Sequence, residues 1–158
     1  MSYLKKAFKI VGMLFFVIVL IVIMVFSFRG KYPEWTQFRR GMMKDYQEIT
    51  RIYTITAGPT LIIRIDQNTA PTLDASKKMF ERTREFILSE QGFQVIQEMK
   101  KGDLGTIKVT FFNPKLKGRY ISFYSECYKS DCTAQDFSHW TIDNNGETWD
   151  YDPNPASD

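Results

Sequence analysis

The period of the hydrophobic positions changes several times along this chain, and each change marks an element. From Ile10 to Phe28, IVGMLFFVIVLIVIMVFSF runs without one charged side chain and is interrupted only by Gly12 and Ser27. At about 1.5 Å per residue a helix of this length spans roughly 28 Å, close to the thickness of a bilayer's hydrocarbon core. The run continues through Val25, Phe26 and Phe28 with no A-x-A cleavage pattern, so it reads as an uncleaved signal anchor. Tyr3, Tyr32 and Trp35 fall where aromatic rings favour the headgroup region.

Beyond the anchor the period becomes helical. Trp35, Phe38, Met42, Tyr46 and Ile49 recur at three- and four-residue spacing after Pro33, predicting an amphipathic helix within residues 29–50. Its stripe either packs on the following domain or lies in the membrane interface. From Ile52 the pattern is of β type: IYTIT and TLIIRID flank the turn pair Gly58-Pro59. Leu61, Ile63 and Ile65 share one face of the second strand, with Thr60, Arg64 and Asp66 on the other.

Thr72 is placed to cap a helix whose apolar stripe is Met79, Phe80, Thr83, Phe86 and Ile87. Gly92 is expected to end it, with Phe93, Ile96 and Met99 continuing as a short second helix before KKGDLG. Ile107, Val109 and Phe111, then Ile121 and Phe123, mark two strands joined by the NPKLKG loop. A last hairpin turns at Asn144-Asn145-Gly146, and DPNPASD forms a tail.

The expected fold class is therefore α+β: an N-terminal transmembrane helix followed by a small domain with a mostly antiparallel sheet and one main helix packed on one face. The division is a basic tail at 1–9, an anchor at 10–28, a juxtamembrane helix at 29–50, an extracytoplasmic α+β domain at 51–152 and a flexible tail at 153–158.

Charge sharpens this picture in one respect. The net charge of +3 is supplied by Lys5, Lys6 and Lys9, so residues 29–158 are balanced and lack the positive surplus that a nucleic-acid partner requires. Within them the basic residues lie mainly before position 120 and the acidic ones dominate after it. Arg29, Lys31, Arg39, Arg40 and Lys44 are candidate contacts to anionic lipid heads; the alternative is an ordinary solvated or internally paired surface.

The candidate chemistry is sparse. Cys127 and Cys132 are the two cysteines, in CYKSDC, and are expected to form a disulfide in an oxidising compartment. This places the N-terminus in the cytoplasm and the domain outside. One histidine, His139, leaves too few ligands for zinc, and nothing orients it as a base for a Cys127 nucleophile. Asp143, Asn145, Glu147 and Asp150 miss the EF-hand spacing, since Gly146 falls at the fourth loop position. No catalytic residue, metal site or cofactor is assigned. Phe137, Trp140, Trp149 and Tyr151 are either core or a candidate binding surface.

The expected function is a single-pass, membrane-anchored, non-enzymatic interaction or assembly module of the cell envelope with a protein partner. The alternatives are a ligand-binding or sensing domain using the sheet face or the aromatic hairpin and, remotely, a Cys/His enzyme. A deep apolar pocket would favour a ligand; a flat open patch or a free sheet edge would favour a protein.

Overall fold

The computed structural model describes residues 32–153. Three helices, α1 (Pro33–Asp45), α2 (Leu73–Leu88) and α3 (Glu90–Lys100), accompany six strands: β1 (Ile49–Ala57), β2 (Thr60–Gln67), β3 (Thr106–Phe112), β4 (Tyr120–Glu126), β5 (Trp140–Asn144) and β6 (Glu147–Tyr151). The strands form one sheet in the order β1-β2-β3-β4-β5-β6. Every neighbouring pair is antiparallel except β2 and β3, which run parallel because the chain returns between them through α2 and α3.

The domain is α+β, but the expected form of the fold is corrected in two respects. Three helices belong to the domain where one main helix packed on the sheet was expected: the helix before the sheet and the short second helix pack with it. Among the described residues no helix is long and apolar enough to cross a membrane, so the fold of the described chain contains no transmembrane helix. The expected anchor at 10–28 lies outside the described residues, as do the basic tail at 1–9 and residues 154–158.

The boundary between α2 and α3 also differs from the expected one, for a local reason. The α2 segment stops at Ser89 rather than at Gly92. Ser89 is extended, and its hydroxyl donates to the Phe86 carbonyl at 2.7 Å while accepting from the Gly92 N–H at 3.1 Å. One residue thus closes α2 and caps α3. Gly92 lies in the first turn of α3, where a Cβ would stand 1.8 Å from the Phe86 carbonyl oxygen. Its role is close approach, not termination. At the other end of α2, Thr72 accepts from the Ala75 N–H at 3.4 Å, with Asp74 in the first turn.

The core lies between the helices and one face of the sheet. Alternation puts Leu61, Ile63 and Ile65 of β2, Ile107, Val109 and Phe111 of β3, and Ile121 and Phe123 of β4 on that face, all buried. Phe80 of α2 stacks on Phe123 at a 4.0 Å centroid separation and meets Trp140 and Tyr151 edge-on at 4.9 and 5.1 Å. Helix α1 buries Trp35 and Met42, and its Phe38 stacks on Phe86 at 4.5 Å. The helix is shorter than expected: it ends at Asp45, Tyr46 is already extended and Ile49 opens β1, so only Trp35, Phe38 and Met42 of the expected stripe are helical, and these pack on the domain.

Two turns follow their sequence. Gly58 has φ 57° between β1 and β2, and Asn145 and Gly146 have φ 55° and 98° between β5 and β6, the pair of positive values that a tight I′ hairpin turn requires.

Candidate functional site

The helices cover only one side of the sheet. On the other side the register aligns Tyr53 with Arg64 and Thr110, and Ile55 with Ile62, Lys108 and Tyr124. No described helix packs there. At the centre is a shallow hollow of about 280 Å³ lined by Ile55, Ile62, Arg64, Lys108, Phe112 and Tyr120, among others.

The cations of this face lean on its rings. The Arg64 guanidinium lies 4.1 Å from the Phe112 ring centroid and 5.7 Å from that of Tyr53, and Arg51 lies 4.9 Å over Tyr53. Arg64 also donates from Nε to Asp66 at 2.8 Å, which gives the buried Asp66 carboxylate its counter-charge. Lys108 stands 5.7 Å from the Tyr120 centroid and 3.7 Å from Asp143. Burial, and then the nearby Asp143 charge, raise the Tyr120 phenol above its ordinary value, so it remains a neutral hydroxyl well past neutral pH. Thr110 and Ser122 share a hydrogen bond of 3.0 Å beneath them. Such a surface can hold a partner by aromatic contact and charge.

Comparison with known protein families, with curated proteins and with solved structures finds no match in any of the three.

The residues singled out in the sequence are dispersed. Cys127 and Cys132 form a disulfide, with Cα atoms 6.2 Å apart, so neither sulfur is free as a thiolate. The bridge borders a turn of 3₁₀ helix, Ala134–Phe137, whose Asp136 is held by Lys129 at 2.7 Å and by both the N–H and the hydroxyl of Thr133 at 2.9 Å. These partners, Lys129 foremost, lower the Asp136 carboxyl to about 2. His139 is exposed, and the equally exposed Asp150 lies 3.6 Å from it. Asp143 accepts from the Gly146 N–H at 2.9 Å, which serves the hairpin turn.

Of the four aromatic candidates, Phe137 and Trp140 are buried in the core. Tyr151 is half-buried against Phe80, its hydroxyl donating to Glu81, and Trp149 is 37% exposed. Arg29 and Lys31 lie outside the described residues. Arg40 and Lys44 are exposed on α1, whereas Arg39 is half-buried, its Nε without a hydrogen-bond partner among the described residues. The open-face residues Tyr53, Lys108, Phe112 and Tyr120 carry no motif in the sequence that marks them. The available signal was an aromatic at an outward position of a strand, as at Phe112 and Tyr120, where a solvated face would carry a polar residue.

Proposed function

We propose that this chain is a non-enzymatic interaction module of the cell envelope, displayed on the extracytoplasmic side of a membrane, that docks a protein partner on the open face of its sheet. The observation that carries this reading is the face itself: six strands wide, covered by no described element, and lined by rings with guanidinium and ammonium groups resting on them. Aromatic residues and arginine are the types enriched where proteins bind one another. The extracytoplasmic placement draws support from the disulfide, which an oxidising compartment maintains, and from the uncharged sequence of residues 10–28.

The hollow is shallow and, at about 280 Å³, lies just under the ~300–1,000 Å³ usual for a small-molecule site, so a ligand buried on this face is the weaker alternative. The test is site-specific photocrosslinking in intact cells. A crosslinker at Tyr53 or Tyr124 should give discrete protein adducts, and one at Gln94 or Lys78 on the helical side should not. Adducts confined to the helical positions, or none at the face, would refute the assignment.

A further inference from the structure

The charge on the open face is divided across its width. The outward charged residues of β1–β3 are Arg51, Arg64 and Lys108, against Asp66 alone; those of β4–β6 are Glu126, Asp143 and Asp150, with no basic residue. The first half is therefore +2 and the second −3. We propose that the partner of this face is a second copy of the same chain, the two sheets packing face to face about a two-fold axis that runs along the strands between β3 and β4. This rests on the reading above and names the partner.

Rotation about that axis turns the sheet over and exchanges its two sides, so β1–β3 of one copy lies over β4–β6 of the other. The cationic half of each copy then meets the acidic half of its partner twice, as an isologous contact requires. A two-fold axis across the strands would instead set each half on its like, which the charges oppose. Ile55, 39% exposed, and the rings of Tyr53, Phe112 and Tyr120 supply the apolar content.

The area is sufficient. Six strands about 4.8 Å apart, most seven to nine residues long at about 3.3 Å per residue, give a face of roughly 600–700 Å² in plan. The relief of its side chains brings the accessible area near the ~800 Å² per partner of a stable interface.

The experiment is sedimentation equilibrium of the full chain in mild detergent, at low and high salt. The wild type should be a dimer at low salt and should dissociate as salt rises, because the paired halves are screened. Glu126→Lys with Asp150→Lys makes both halves basic and should weaken association by about tenfold or more. Arg51→Glu should also weaken it, and mixing the two variants should give a heterodimer in preference to either homodimer, since it sets the intact cationic half of one on the intact acidic half of the other. Should Arg51→Glu lose its fold by circular dichroism, the lysine pair alone decides, since both of its positions are exposed. A monomeric wild type overturns the proposal, as does a dimer indifferent to these changes, which would associate by another surface. If the wild type is monomeric while Tyr53 still crosslinks to a different protein, docking on the face stands and self-association fails. If neither occurs, both fail.

Discussion

Replacing Gly92 with alanine separates what helix propensity predicts from what this packing dictates. Gly92 is in the first turn of α3, and propensity alone credits alanine with a gain of up to about 1 kcal/mol. The added Cβ, however, would meet the Phe86 carbonyl oxygen at 1.8 Å, the Phe86 carbonyl carbon at 2.8 Å and Ser89 Oγ at 2.8 Å. The nearest obstacle is backbone, already engaged by the Ser89 hydroxyl at 2.7 Å and the Ser89 N–H at 3.3 Å. Relief requires the end of α2 and the start of α3 to separate by more than 1 Å, which breaks the Ser89 caps at roughly 0.5–1.5 kcal/mol each and adds about 1–3 kcal/mol of strain or lost packing. A net destabilisation of roughly 1–6 kcal/mol follows, a large share of the stability of a domain this size. Equilibrium urea denaturation, followed by tryptophan fluorescence and far-ultraviolet circular dichroism, measures it. Gly41→Ala is the control: its Cβ meets only the Arg82 Nη2 end at 3.0 Å, a flexible group, so it should be neutral or slightly stabilising. A Gly92→Ala chain as stable as the wild type would refute the close-approach argument.

Phe80→Ala removes the ring shared by Phe123, Trp140 and Tyr151 and should cost about 3–5 kcal/mol by the same denaturation measurement. Replacing both Cys127 and Cys132 with serine opens a loop of sequence separation 5 and should cost about 2 kcal/mol, read as a fall in the urea midpoint that reductant reproduces in the wild type. The Asp136 carboxyl should titrate near 2 by carbon-detected NMR, and Lys129→Met should move its midpoint upward. Because its folded value lies below the ordinary 3.8, its stabilising contribution is complete above about 3.8, declines below that and is lost as the pH falls through about 2; a midpoint at 3.8 would refute the Lys129 and Thr133 contacts.

The elements were legible where one local signal decided them. The alternation of Leu61, Ile63 and Ile65, the cap at Thr72 and the positive-φ residues Asn145 and Gly146 each depend on neighbours within a few positions. Gly92 misled because glycine has two uses at helix ends. It can stop a helix by adopting positive φ, or let two segments cross closely, and only the position of the Phe86 carbonyl distinguishes them. The parallel register of β2 and β3 was likewise hidden, since it follows from where α2 and α3 return the chain.

The aromatic hairpin shows why candidate surfaces are harder to read than strands. Trp140, Ile142, Trp149 and Tyr151 all project to the helical side of the sheet, because Trp140 pairs with Tyr151 and Ile142 with Trp149. Yet Trp140 is 1% exposed and Trp149 is 37% exposed. The difference lies in strand order: β5 is an inner strand next to β4, under Phe80, whereas β6 is the edge, where cover from α2 gives out. Period assigns a side chain to a face; only topology says how far that face is covered. The same holds for the open face, whose cationic and acidic halves join residues as distant as Arg51 and Asp150. The late excess of acids in the sequence becomes an acidic half-sheet because β4, β5 and β6 follow in spatial order. A chain whose strands lie side by side in sequence order converts a charge gradient along its length into a charge gradient across its sheet, and that conversion gives the face a self-complementary pattern.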